Sequence, residues 1–162
     1  MSVGSVEPIP TAPLEFRIEP IDPDSTDDID ETTHIGNLAF VSQDNPFQRA
    51  YHLEPFPPVE EITKASTKRL VYGLKHGRRG WKAVLDEPGK DEDGKMVGFA
   101  IWHPPGVRIP TFESTNKDDL EPELEALYEP VDLNAWNEVF GKFQAQRDEI
   151  HKDQDHWYAP LQ

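Results

Sequence analysis

The sequence predicts an α+β fold with antiparallel strands and helices between the first and second strands. One segment of alternating apolar and charged residues comes early in the chain, a region of helical periodicity follows, and two apolar segments joined by a polar turn come next. A second helical region follows that hairpin. Hydrophobic residues make up 36% of the 162 residues, which is enough for one domain with a small core.

The first strand is predicted near the N-terminus. Residues 1–13 contain three prolines and are expected to be a flexible lead-in to a single domain at 14–162. Residues 14–21 alternate apolar with charged side chains, which is typical of a half-buried strand. Because Pro20 cannot donate to a strand ladder, we place this strand near an edge of the sheet.

Three helices are predicted before the hairpin. Acidic and turn-forming residues precede a helix at 27–41, and a short helix at 46–52 follows Asn45. The third helix is expected at 59–76, after a proline suited to a helix start and before a glycine suited to its end.

The hairpin is predicted from residues 81–86 and 96–103. Both alternating sets of the second segment are apolar, which is typical of a central strand covered on both faces. Gly98 inside it indicates a bulge or a close approach by another group. A central strand needs two neighbours, so we expect self-association through this strand if one neighbour is incomplete.

The remaining elements are two helices and the start of a strand. A short acidic helix is predicted at 119–129 and a longer one at 133–150, after Asp132. The predicted apolar stripe of the longer helix comprises Leu133, Trp136, Val139, Phe140, Phe143, Arg147 and Ile150. The last residues look like the opening of a truncated fourth strand, so the second helical region is an insertion before it.

Charge and composition exclude several classes of function. A net charge of −15 argues against nucleic-acid binding and against a polybasic membrane anchor. The chain has no cysteine, which excludes a disulfide framework, a thiolate zinc site and a cysteine nucleophile. It has no apolar run of 18 residues, and its first residues do not resemble a signal peptide, so we expect a cytoplasmic protein without membrane contact.

Residues that could carry chemistry each have a structural interpretation as well. His103 ends the second hairpin strand and is either a general base or a histidine with satisfied hydrogen bonds. His151 and His156 flank two aspartates, which suits a metal site, although a solvated helix end is favoured. Seven of the 16 positive charges lie within residues 64–82, where they either receive an anionic group or form a solvated helix face, the interpretation we favour.

Specific segments resemble a known family. In chain order they read FRIEPI, NLAF, NPFQRAYH, WKAVLD, MVGFAIWHPP and HWY. Together they are similar to the N-terminal half of the GNAT acyltransferase superfamily, in the branch common in fungi. The resemblance covers about residues 14–158 and implies a partial GNAT-like fold.

The resemblance implies an activity for full-length relatives and implies that this chain lacks part of what the activity needs. Full-length relatives transfer an acetyl group from acetyl-CoA to an amine. The family's pyrophosphate-binding glycine loop would follow the last residue, and Pro160 interrupts the strand that should hold the cofactor. We therefore expect this chain to lack activity alone, to bind acetyl-CoA weakly and to hold no metal. The alternative is a non-catalytic interaction or regulatory remnant, or a truncated gene product.

The resemblance also implies a cleft for the acceptor, whose identity stays open. No catalytic base is assigned, and core packing is an alternative role for Phe40 and Trp102. The candidate cleft residues are Phe40, Asn45, Phe47, Trp102, His103, Trp157 and Tyr158.

Overall fold

The computed structural model describes residues 15–41, 45–86, 94–107, 126–152, 154 and 157. Within them it confirms an α+β fold with helices between the first and second strands. The strands are β1 (Phe16–Pro20), β2 (Arg79–Leu85) and β3 (Lys95–Trp102). The helices are α1 (Thr26–Phe40), α2 (Pro46–Arg49), α3 (Val59–Lys75) and α4 (Leu133–His151). The predicted acidic helix lies outside the described residues as far as residue 125, and 126–130 form turns. Of the predicted fourth strand only residue 157 is described.

Local chemistry sets the helix boundaries. The Ser25 side chain accepts a hydrogen bond from the backbone N–H of Asp28 at the start of α1. Asp132 caps α4 in the same way, accepting from the backbone N–H groups of Asn134 and Ala135. Helix α3 ends before Gly77, whose φ of 111° lies in the left-handed region that glycine adopts without strain.

The sheet has the order β1-β2-β3 and is antiparallel throughout. β1 is therefore an edge strand, as predicted, but β2 rather than β3 is the central strand of the described sheet. The register shifts between Ala83 and Val84, because Val97 is an extra residue in β3. This bulge puts Met96 and Ile101 on the same covered face, which explains why both alternating sets of β3 are apolar. A Cβ on Gly98 would meet nothing within 4 Å, so the bulge interpretation is confirmed over a close approach.

Two hydrophobic clusters form the core of the described residues. The aliphatic cluster joins the sheet to α1 and α3 and consists of Ile21, Ile29, Leu70 and Ile101. The aromatic cluster consists of Tyr51, Leu127, Tyr128, Val131, Trp136 and Phe140. An antiparallel bridge between His52 and Val131 brings its two parts together, and the Asp132 backbone N–H donates to the Tyr51 carbonyl at 2.9 Å.

Helix α4 is buried only in its first half. Trp136 and Phe140 are 4% and 7% exposed, whereas Phe143 and Ile150 are 47% and 73% exposed. The predicted apolar stripe is therefore correct up to Phe140 and wrong beyond it, because the second half of the helix extends past the cluster. Among the described helices, none has the length and apolar character needed to cross a membrane.

Candidate functional site

A cavity of about 90 Å³ lies where the two clusters meet. Residues of α1, α3 and α4 form most of its wall. The lining residues are Thr32, Thr33, Gly36, Asn37, Phe40, Val41, Gln48, Tyr51, Ser66, Arg69, Leu70, Arg78, Trp136 and Phe140. Phe40 is 48% exposed, so the cavity reaches the surface at the C-terminal end of α1.

Arg69 places a positive charge in the wall of this cavity. One guanidinium nitrogen donates to the Leu127 carbonyl at 2.7 Å and another to the Ser66 hydroxyl at 3.2 Å. Its Cζ atom lies 6.0 Å from the Tyr128 ring centroid and 5.9 Å from that of Trp136, within the range of cation–π attraction. Burial lowers the pKa of Arg69, yet arginine keeps its charge in proteins. A permanent charge therefore lies among neutral partners.

Arg78 brings a second guanidinium to the same face of α3. The side chain is 3% exposed, and its Nε atom donates to Nε2 of His103 at 3.0 Å. It lies against Gly73, where a Cβ atom would come within 2.8 Å of the guanidinium carbon. Gly73 is one helical turn after Arg69, so both guanidinium groups lie over the same helical face.

His103 holds Arg78 and does not line the cavity. The residue is fully buried, with 0% exposure. Burial lowers its pKa to about 4, the charges of Arg78 and Arg147 act in the same direction, and a hydrogen bond with the Val107 backbone opposes them. The imidazole is therefore neutral near pH 7, and its Nε2 lone pair accepts from Arg78. Through this hydrogen bond His103 positions the Arg78 side chain beside the cavity.

Two aromatic residues add neutral hydrogen-bond donors to the wall. Burial raises the pKa of Tyr51 to about 12, against the opposing effects of Arg69 and of a hydrogen bond with Gln48, so its hydroxyl stays protonated. Trp136 is 4% exposed, and its indole N–H finds no hydrogen-bond acceptor in the described part of the chain. A buried polar group without a partner is uncommon in folded proteins and calls for a reason.

Taken together, the lining is rich in donors and positive charge. Its side chains are hydroxyls, amides, aromatic and aliphatic groups and two guanidiniums, and no carboxylate is among those that the structure describes there. Such a wall suits a ligand with several acceptor atoms and a negative charge.

Three of the candidate cleft residues come together beside this cavity. Phe40 lines it, and Asn45 donates from its side-chain amide to the Phe40 carbonyl at 2.9 Å while capping α2. Phe47 packs edge-on against the lining residues Tyr51 and Phe140, with ring centroids 5.6 and 5.9 Å apart. The end of α1 and the start of α2 therefore lie on one side of the cavity.

Trp102, His103 and Trp157 are described and are not among the residues that line the cavity. Trp102 is 39% exposed and, by strand alternation, lies on the sheet face opposite Ile101 and His103. Trp157 is 53% exposed, and Tyr158 lies outside the described residues.

The favoured interpretation of His151 and His156 as a solvated helix end, like the alternative of a metal site, stays a prediction. His156 and both aspartates between the histidines lie outside the described residues. In the ranges that are described, no three histidine or acidic side chains lie close enough together to hold a metal ion.

Sequence reasoning missed the residues that give the cavity its character. Arg69 and Arg78 belong to the basic stretch at 64–82, which we interpreted as a solvated face. That interpretation fits the exposed residues Lys64 and Lys75 but is wrong for these two arginines. The available signal was spacing, because Arg69 and Gly73 share a helix face and Arg78 follows the helix end.

Comparisons with known proteins give no relative for this chain. No family model, no curated protein and no solved structure matches it. The interpretation of the cavity therefore depends on the geometry and chemistry of its own residues.

Proposed function

We propose that this chain provides the acceptor-binding half of a GNAT-like acyltransferase, with the cavity as the acceptor site. The observation that carries the proposal is the position of Phe40. The family resemblance selects this residue for the acceptor cleft, and its ring lines the cavity where the cavity reaches the surface. Asn45 and Phe47, selected in the same way, support that wall from α2.

The size of the cavity favours an acceptor over the cofactor. An engineered protein cavity of about 150 Å³ holds one benzene molecule. At about 90 Å³ this cavity is far too small for acetyl-CoA but takes a group of a few heavy atoms. The residues here do not fit the cofactor, so we assign the cavity to the acceptor alone.

A second candidate function is the binding of a small ligand without catalysis. An ammonium group must lose a proton before it attacks a thioester. Arg69 keeps its proton at neutral pH, and the pKa of Tyr51 is about 12. Side chains of this kind hold a ligand well but take up a proton poorly, which favours a binding protein.

Ligand-detected NMR with a panel of small primary amines tests the acceptor site. The panel contains amino acids, simple alkylamines and polyamines. We expect at least one class to bind, and Phe40→Ala to weaken that binding by about tenfold, since it removes part of the wall. Leu38→Ala is the matched control, because Leu38 lies on the same helix, is 76% exposed and does not line the cavity. No binding by any amine, or equal binding to both variants, overturns the proposal.

Adding acetyl-CoA to the bound amine tests whether the chain is active alone. Formation of the acetylated amine, followed by mass spectrometry, would favour the acyltransferase over the binding protein. Binding of the amine without any product is the result expected both from an isolated acceptor-binding half and from a non-catalytic binding protein.

A further inference from the structure

We propose that the cavity recognises the carboxylate of a small acid with a short apolar part. Arg69 and Trp136 hold the carboxylate oxygens, and Arg78 supplies a second positive charge. This inference rests on the proposed function in one respect, the use of the same cavity. If the ligand is the acyl acceptor, the inference identifies its chemical class as a small amine that also carries a carboxylate.

Unused hydrogen-bond donors are the first argument. A guanidinium has five N–H groups. In the described part of the chain, Arg69 donates to Leu127 and to Ser66, which leaves three N–H groups for a ligand. The indole N–H of Trp136, whose side chain lines the same cavity, has no acceptor there either. A carboxylate has two oxygens and about four lone-pair sites, and it pairs with arginine in a two-pronged geometry.

Charge is the second argument. Arg69 is a permanent cation in the wall, and among the described residues its guanidinium donates to the neutral Leu127 carbonyl and Ser66 hydroxyl. Arg78 adds a second permanent cation to the same wall. Removing a cation from water is costly unless a negative charge or strong hydrogen bonds offset that cost. A bound anion supplies both, whereas a cationic amine alone is repelled.

Shape and the apolar wall select the kind of anion. Leu70, Phe140 and Phe40 give the cavity apolar sides, and its volume of about 90 Å³ fits a carboxylate with a few carbon atoms. A phosphate is polar on every side and would press hydrated oxygens against these side chains. The carboxylate therefore lies between Arg69 and Trp136, and the rest of the ligand points toward the opening at Phe40.

Isothermal titration calorimetry with three ligands of equal length tests the charge requirement. The probes are butyrate, the neutral butyramide and the cationic butylamine, with inorganic phosphate as a second anion. We expect butyrate to bind at least tenfold more tightly than each of the other probes.

Three variants test the residues. Arg69→Gln should weaken butyrate binding roughly 10- to 100-fold, since a charged hydrogen-bonding group is lost. Trp136→Phe keeps a large ring, loses the N–H donor and should weaken binding by about 3- to 10-fold. Arg49→Gln is the control, because Arg49 lies nearby on α2, is exposed and pairs with Glu54 at 3.4 Å. Circular dichroism checks the fold of each variant, and Arg69→Lys replaces Arg69→Gln if the latter does not fold.

The outcomes separate this inference from the proposed function. Butyramide binding as tightly as butyrate, phosphate binding more tightly, or an unchanged affinity in Arg69→Gln overturns the carboxylate site. If butyrate binds as expected and no amine binds, the carboxylate site holds and the acceptor proposal fails. If amines without a carboxylate bind at Phe40 and butyrate does not, the acceptor proposal holds and the carboxylate site fails.

Discussion

The aliphatic and aromatic clusters stabilise the same domain but differ in what else they do. The aliphatic cluster contains only Ile and Leu side chains, such as Ile29 and Ile101, and joins the sheet to the helices. The aromatic cluster contains Tyr51, Tyr128 and Trp136, whose rings also carry polar atoms, and it surrounds the charged Arg69.

The difference shows which cluster provides the polar and charged groups that can bind a ligand. Aliphatic side chains contribute stability by leaving water and provide no directed interaction. Aromatic side chains do the same and also place donors and π faces around a cation. The cavity lies on the boundary between the clusters, so its ligand meets apolar walls and hydrogen-bond donors together.

The largest expected effect is the loss of the aromatic cluster's central ring. Phe140→Ala should lower the free energy of unfolding by about 3–5 kcal/mol, because it removes a buried ring and leaves a hole. Phe143→Ala is the matched control, three residues further along α4 and 47% exposed; its expected cost is below about 1 kcal/mol. Urea unfolding measures both. Similar losses in the two variants would contradict the finding that Phe140 is buried and Phe143 is exposed.

The buried His103 should make stability fall in acid. Its pKa of about 4 in the folded protein is below the ordinary value of 6.5. Between these pH values the unfolded chain binds a proton at this imidazole and the folded chain does not, so lowering the pH favours unfolding. Stability from this group is complete above pH 6.5, and about 3 kcal/mol is lost by pH 4.

The variant His103→Gln isolates this contribution. Glutamine still offers an oxygen to the Nε–H of Arg78 and does not titrate. Unfolding measured at several pH values should show a shallower loss of stability in the variant between pH 6.5 and 4. Parallel curves for the two proteins would show that His103 is not buried in its neutral form.

A smaller effect on stability is expected for Gly73→Ala. Its direction is opposite to the stabilisation that helix propensity alone predicts. Glycine to alanine inside a helix ordinarily stabilises by about 1 kcal/mol. Here the added Cβ would collide with the buried guanidinium of Arg78, so we expect Gly73→Ala to destabilise by about 1–2 kcal/mol. Thermal unfolding measures the change, and a stabilised variant would show that Arg78 moves aside without cost.

The smallest expected effect concerns association through β3. On the side away from β2, no strand pairs with β3 among the described residues. A net charge of −15 opposes association, and salt screens it. Light scattering after size exclusion should therefore show more association at high salt, and Trp102→Lys should reduce it. A monomer of 18.5 kDa at both salt concentrations would contradict this.

The parts of the fold that were predictable depend on local pattern. The positions of β1 and of the helices, the cap at Asp132 and the bulge near Gly98 follow from residues close in sequence. The prediction that β1 is half-buried was wrong, because its apolar residues Phe16 and Ile18 are 53% and 67% exposed. The edge position of β3 in the described sheet was predicted wrongly, because we interpreted apolar residues in both alternating sets as two covered faces, whereas Val97 and Trp102 are 44% and 39% exposed.

The site was less predictable than the fold for a physical reason. Arg69 contacts Leu127, 58 residues away, and Arg78 contacts His103, 25 residues away. A sequence shows seven clustered positive charges but does not show that Arg78 is 3% exposed or that Arg69 lines a cavity. Phe40 was selected as a cleft residue through the family resemblance alone, and it lines the cavity.

The indole N–H of Trp136 provides the most direct measurement of the central claim. The chain has four tryptophans, so a ¹⁵N-labelled sample gives four indole signals, and Trp136→Phe assigns the relevant one by its loss. On titration with butyrate we predict that the Trp136 signal moves downfield as its N–H acquires an acceptor, while those of Trp81 and Trp102 stay in place. A Trp136 signal that does not move when butyrate is added would contradict the carboxylate site.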